Sequence, residues 1–264
     1  MKQYFAIGTS ADLTPVPYLS KRNILVSYFY WKKSFRERIL EEHSIEELFM
    51  DSGAFSFYNS KNEVNIHEYI KCLKEDNIKK YSALDVIGDP VATKENYLLM
   101  KREGLTPIPT FHINTDIDYL YWYCDNCRTL AIGGMVGGDR IPQNLDKIWS
   151  VILKRNPDLK VHGFGVTNYD IAVRYPWDSI DGSSFNAIVK FSRAMEWVRK
   201  GFNIIDTKEF LQKMGYEQDE KSLGKIRNFL LYWQMEQYNR MIDDINIEHQ
   251  KKDFYHLIAQ QTLF

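Results

Sequence analysis

The sequence repeatedly ends a short apolar run in a carboxylate, an imidazole or a glycine. In "FMDSGAFSFYN", residues 49–59, the run Leu48-Phe49-Met50 stops at Asp51 and is followed by Ser52, Gly53, Ala54 and Phe55. Asp85 stands at the end of the run in "SALDVIGDP", and His112 ends "PIPTFH". Gly133 and Gly134 end "TLAIGG", His162 and Gly163 fall within "KVHGFGV", and Asp181 ends "DSIDGS". A solvated turn explains any one of these acids. Three carboxylates, two histidines and a glycine pair at the same level of successive runs point to one shared site.

The chemistry open to that site is narrow. There is no HExxH, no Walker loop and no GxGxxG, and "GGMVGG" at 133–138 lacks the Lys-Ser/Thr of a phosphate loop. Its glycines suit close backbone approach to a flat ligand. Ser52 and Ser183 offer hydroxyl nucleophiles, but no GxSxG elbow is present. Paired carboxylates without a metal motif suit glycosidic chemistry, in which one attacks an anomeric carbon and another group manages the proton. No cofactor is called for.

The elements that must position these residues alternate. Strand-like runs occur at "YFAIG", "ILVSYF", "LFMD", "SALDVI", "IPTFH", "TLAIGG", "KVHGFGV" and "DSIDGS". Helical patterns such as "IHEYIKCLKEDN", "PVATKENYLLMKREG", "NLDKIWSVILKRN" and "FNAIVKFSRAMEWVRKG" separate most of them. Pro90 and Gly104 bracket one helix in the usual asymmetric way. Strand alternating with helix predicts parallel strands and right-handed crossovers. Eight runs fit an α/β fold of the (β/α)8 TIM-barrel type, where the C-terminal strand ends converge on one mouth. An open doubly wound sheet is the alternative. The first link, residues 9–22, contains proline and is irregular. A mostly helical tail is expected over about 202–264.

The chain has 264 residues and is 44% apolar, enough for a sizeable core and against disorder. It has no apolar run long enough to span a membrane, and its first residues carry too short an apolar segment for a signal peptide, so the expected location is the cytoplasm of a bacterium. The three cysteines, Cys72, Cys124 and Cys127, give no disulfide framework. The "CDNC" pair lacks two ligands of a structural zinc site. A net charge of -1 supplies no global field for nucleic acid, although "SKRN" at 20–23, "WKKSFRER" at 31–38 and "KIRN" at 225–228 are locally basic.

These residues resemble the tRNA-guanine transglycosylase superfamily of TIM barrels. "MDSGAFSF" is similar to its Asp-Ser-Gly-Gly-Phe/Tyr-Gln motif, and "LAIGGMVGG" to its Ala-Ile-Gly-Gly-Leu-Ala-Val-Gly-Glu-Gly segment. "HGFGVTN" sits where the family has His-Leu-Leu-Gly-Val-Gly, and "DSIDGSSFN" resembles its Asp-Ser-Phe-Asp-Cys segment. The order and approximate spacing agree from about residue 48 to 190, and the glycine segment is the most specific match. The late cysteine-rich zinc region of the bacterial tRNA enzymes has no counterpart, because no cysteine follows Cys127. "DSIDGSSF" further resembles the Ser-Val-Asp-Ser-Ser/Thr-Ser-Trp pattern of compact phage and bacterial enzymes that insert 7-deazaguanines into DNA, so a phage gene is an alternative source.

The resemblance implies a single transglycosylase-like domain over residues 1–264. It makes Asp181 the nucleophile, with Asp178, on the wrong phase of its strand, in reserve. Asp51 becomes the second carboxylate. Asp85 would read the N1/N2 edge of the base, His112 would stand near O6, Gly133 and Gly134 would approach O6 through the Gly134 N–H, and Met135 would lie near the 7-substituent. Ser52 and His162 would support the site. The implied partners are DNA, or tRNA as the alternative, with a free 7-deazaguanine base and accessory proteins, and no membrane. A base-removing hydrolase and a non-catalytic partner subunit are the competing expectations.

Overall fold

The computed structural model describes residues 1–9, 12, 21–135, 141–186, 193–215, 223–254 and 257, with the backbone alone for 223–226. Eight parallel strands form one sheet: β1 (Lys2–Ile7), β2 (Arg22–Ser27), β3 (Ile45–Asp51), β4 (Lys80–Tyr81), β5 (Thr110–His112), β6 (Thr129–Gly133), β7 (Lys160–Gly163) and β8 (Ser179–Gly182). The strand order is β4-β3-β2-β1-β8-β7-β6-β5, so each strand lies beside its sequence neighbours rather than reversing as a doubly wound sheet does. The sheet curls until the β4 and β5 edges meet at a parallel bridge between Ser82 and Ile108. There Ala83 N–H donates to the Ile108 carbonyl at 2.7 Å and Ile108 N–H to the Tyr81 carbonyl at 3.0 Å. The architecture is an α/β fold resembling a TIM barrel.

Between the strands lie α1 (Lys33–Leu40), α2 (Ala54–Ser60), α3 (Ile66–Glu75), α4 (Pro90–Arg102), α5 (Ile117–Asn126), α6 (Ile141–Arg155) and α7 (Tyr169–Arg174). Their starts follow from side-chain caps: Asn65, Asp89, Asp116 and Asn168 each accept from the first-turn N–H groups of α3, α4, α5 and α7. The strand residues alternate between two cores. Phe5, Ile24, Met50, Ile132, Val161 and Ile180 pack outward in the large cluster that includes the helix side chains, whereas Tyr4, Leu25, Phe49, Ile108 and Ala131 form a separate cluster inside the curl. The two-residue period therefore places Asp51 in phase with Phe49 and Asp181 in phase with Ser179, while Asp178 is out of phase and accepts from the Val161 N–H at 2.6 Å.

The tail departs from expectation. Part of "FNAIVKFSRAMEWVRKG", which reads as helix, is strand: β9 (Arg193–Trp197) pairs antiparallel with β10 (Phe202–Asp206), residues 184–186 are helical, and 187–192 lie outside the described residues. The hairpin forms because the long helix α9 (Leu223–Gln250) offers it acceptors. Gln234 Oε1 takes the Met195 N–H at 3.2 Å, and Gln237 Oε1 takes the Trp197 N–H at 2.9 Å. Tertiary contacts thus override a local helical pattern. Helices α8 (Thr207–Lys213) and α9 (Leu223–Gln250) supply the expected helical part, and α9 packs on β9, α7 and β1. Most of the first link also lies outside the described residues. No helix among the described residues is long and apolar enough to cross a membrane.

Glycines at the strand ends allow close packing. A Cβ on Gly182 would come within 2.0 Å of Thr167 Cγ2. Gly182→Ala is expected to cost about 1–3 kcal/mol through overpacking, and Thr167→Ser, which removes that methyl, should recover most of the loss. Urea unfolding of the two single variants and the double variant measures this, and additive effects would show that the contact is not responsible.

Candidate active site

Strand β3 delivers Asp51 to the mouth, and Ser52-Gly53 turns the chain into α2. Gly53 has φ +79°, and a Cβ there would lie 2.7 Å from Ser27 Oγ and 2.9 Å from the Phe29 N, so only glycine fits this turn. The turn does two things. It brings the Gly53 N–H to Asp51 Oδ2 at 3.1 Å. It also buries Ser52, whose N–H donates to Ser82 Oγ at 2.8 Å and whose Oγ–H donates to Asp85 Oδ1 at 2.7 Å. Ser52 is therefore a brace for Asp85 rather than a nucleophile.

Asp85 follows β4 and is held from both sides. Its other oxygen, Oδ2, lies 2.9 Å from His112 Nε2 at the end of β5. With Asp85 ionised, the imidazole must carry its proton on Nε2 and donate. His112 thereby orients Asp85, and a neutral ring has only the acceptor Nδ1 left for a ligand. Each Asp85 oxygen keeps a second lone pair for an incoming donor. A cavity of about 290 Å³ opens beside His112, lined in part by Thr93, Thr110, Asn114 and Tyr123.

Asp181, at the end of β8, is 6% exposed. His162 Nε2 lies 3.2 Å from Asp181 Oδ1, and the Gly165 N–H donates to the same oxygen at 3.1 Å. His162 Nδ1 lies 2.8 Å from Ser179 Oγ. The ring is enclosed edge-on by Tyr4, Phe49 and Phe164, with centroids 5.8, 4.9 and 4.8 Å away. Burial lowers its pKa, against the opposing pull of Asp181, so the ring is neutral. A neutral ring facing a carboxylate must donate from Nε2 and accept from the Ser179 hydroxyl at Nδ1. Both donors fall on Oδ1. Among the described residues none donates to Oδ2, which is left open.

Asp51 carries the electrostatic consequence of this crowding. Burial first, then the nearby charges of Asp85 and Asp181, push its pKa from 3.8 up to about 7, against the opposing pull of the Gly53 and Ser52 N–H groups. Near neutral pH it exchanges a proton readily, as a general acid and base must.

The remaining sequence candidates fall out variously. Gly133 ends β6, and Gly134 follows at φ +80° with His112 Nδ1 close by, so both stand at the mouth. Met135 is buried in the outer core, which leaves little of it to meet a ligand. The rest of "GGMVGG", beyond Met135, lies outside the described residues. Ser82 and Ser179 were not singled out from sequence, although Ser179 stands two residues before Asp181 on the same strand face. Cys124 and Cys127 are free thiols whose pKa values are raised by burial, Cys124 to about 11, so neither is a reactive thiolate. Among the described residues no group of three or more His, Cys, Asp or Glu could hold a metal ion. The basic clusters are partly engaged: Arg22 pairs with Glu236, Arg36 with Asp76, and Arg227 with Asp12.

No family model matches this chain, and no curated protein matches it significantly.

The Asp51 shift fixes a sign for stability. Between about pH 4 and 7 the folded state keeps a proton on Asp51 that the unfolded chain releases, so this group lowers stability as pH rises through that window. Above it, ionised Asp51 remains a standing repulsion. Asp51→Asn is expected to melt higher than the wild type at pH 8, with the gap closing toward pH 5. Thermal unfolding at the two pH values tests this, and a gap independent of pH would contradict it.

Proposed function

We propose that the chain is a (β/α)8 transglycosylase that replaces guanine in DNA with a 7-deazaguanine, such as 7-cyano-7-deazaguanine, through a covalent aspartyl–sugar intermediate. The observation that carries this reading is the convergence of three carboxylates in three different states: Asp181 with one oxygen held and the other open, Asp51 able to exchange a proton near pH 7, and Asp85 clamped as an acceptor.

In the first step Asp181 Oδ2 attacks C1′ of the target nucleotide. The C1′–N9 bond breaks, its electron pair leaves with guanine, and Asp51 supplies the proton that neutralises the departing base. In the second step the incoming base gives a proton to the Asp51 carboxylate and attacks C1′, releasing Asp181. Two inversions give net retention. Asp85 accepts from the N1–H and N2–H2 edge, a pattern that guanine and its 7-deaza analogues share. The Gly134 N–H is assigned to O6. The target must leave the helical stack, so a flipped base or a single strand is the substrate. DNA is preferred over tRNA on the form of "SIDGSSF" and on the lack of cysteines after Cys127.

Two measurements test this. Asp181→Asn should abolish base exchange and the trapped protein–nucleic acid adduct in a protein that still folds. Full activity in that variant would sink the assignment. Nucleosides from the DNA and tRNA of cells expressing the chain, separated by mass spectrometry, should show a 7-deazaguanine in DNA. The modified nucleoside in tRNA alone would overturn the DNA assignment, and abasic sites without modification would identify a base-removing hydrolase.

A further inference from the structure

A second cavity, of about 630 Å³, lies between the β9–β10 hairpin, α7 and α9, and none of the residues assigned to the chemistry lines it. That volume is within the roughly 300–1,000 Å³ range of small-ligand sites. Three aromatic side chains form part of the wall: Tyr169, Phe202 and Tyr238. They belong to a connected set, with Trp197 centroids 5.1 Å from both Tyr169 and Phe202, and Phe202 5.0 Å from Tyr238. Two exposed cations, Arg193 and Lys200, stand at the same cavity against one carboxylate, Asp170. Flat apolar faces beside an excess of positive charge match a nucleotide, in which a base stacks and a phosphate pairs.

The cavity also begins where the reacting chain would leave the mouth. Ser184 is three residues beyond Asp181, and Thr167 is two beyond Gly165, whose N–H holds Asp181. The Ser184 hydroxyl donates to Thr167 Oγ1 at 3.3 Å, and Thr167 packs on the Gly182 backbone. The cavity wall and the nucleophile thus share one rigid strand-end assembly.

We propose that this cavity holds the nucleotide next to the target guanine in a single-stranded DNA segment, its base against Tyr169 and Phe202 and its phosphate between Arg193 and Lys200. The proposal rests on the transglycosylase reading of the mouth and adds a recognition subsite to it. A duplex cannot present an unstacked neighbouring base to such a wall, so the subsite favours a strand that is already open.

The test measures two bindings on the full chain. Fluorescence anisotropy follows a labelled single-stranded DNA decamer with one central guanine, and calorimetry follows free guanine. Arg193→Glu and Lys200→Glu alter exposed side chains and should preserve the fold. Each is expected to weaken decamer binding at least tenfold and to lower its salt dependence, with guanine binding unchanged. Tyr169→Ala should weaken the decamer without changing the salt slope. Wild-type decamer affinity in both charge variants would overturn the subsite and leave the transglycosylase reading standing. A wild-type protein that binds neither decamer nor guanine would overturn both. A wild-type protein that binds guanine but not the decamer would overturn the subsite alone.

Discussion

Like-charge repulsion among Asp51, Asp85 and Asp181 is the constraint on which the rest of the mouth depends. Three partly or fully buried carboxylates cannot all ionise at low cost in one small volume. The fold resolves the conflict by giving each a different environment. Asp85 receives a hydroxyl and an imidazole, Asp181 an imidazole and a backbone N–H, and Asp51 only N–H groups of its own turn. The least compensated acid is the one whose pKa rises to about 7. Three identical side chains thus come to differ in pairing and protonation through unequal solvation, and the proposed division of labour rests on that difference.

That inequality requires a dry floor beneath the acids. Tyr4, Phe49, His162 and Phe164 form an aromatic layer across the inside of the sheet, edge-on except for the tilted Phe49–Phe164 pair. On the other side of it lies a cavity of about 670 Å³, lined by Glu47, Lys80, Lys160 and Ser179 among others. There Tyr4 donates its hydroxyl hydrogen to Glu47, and Lys80 and Lys2 also meet that carboxylate, at 3.5 and 3.2 Å. His162 spans the layer: one ring nitrogen serves Asp181 and the other Ser179. One neutral ring thus anchors Asp181 on the mouth side of the layer and Ser179 on the side of the lower cavity, without adding charge.

The tail illustrates how the outer layer is held. The hairpin edge would expose backbone N–H groups, and α9 covers them with Gln234 and Gln237 while Trp197 Nε1–H donates to Asp244 at 2.6 Å. These contacts cross about 40 residues of chain. A segment with apolar residues at helical spacing becomes a strand because a distant helix offers acceptors at strand spacing. The basic clusters read the same way. Arg22, Arg36 and Arg227 meet Glu236, Asp76 and Asp12, partners that no local window contains.

Sequence alone determined the strand phase and the ends of β3 and β5, whereas β4 stops at Tyr81, four residues short of Asp85, and β8 runs on to Gly182. Apolar runs of strand length that stop at Asp51, His112 and Asp181 place those residues at one end of a parallel sheet, and a period of two puts Asp181 inside and Asp178 outside. Gly53 was legible as a turn residue for the same local reason. Only the tertiary structure decided which acid is clamped, which is open and which holds a proton. Ser52 reaches Asp85 across 33 residues and His162 reaches Asp181 across 19, and the Asp51 pKa depends on charges from two other strands. Local pattern encodes direction and burial, because they follow from backbone geometry. Protonation and pairing depend on distances between segments, and those exist only once the sheet has curled.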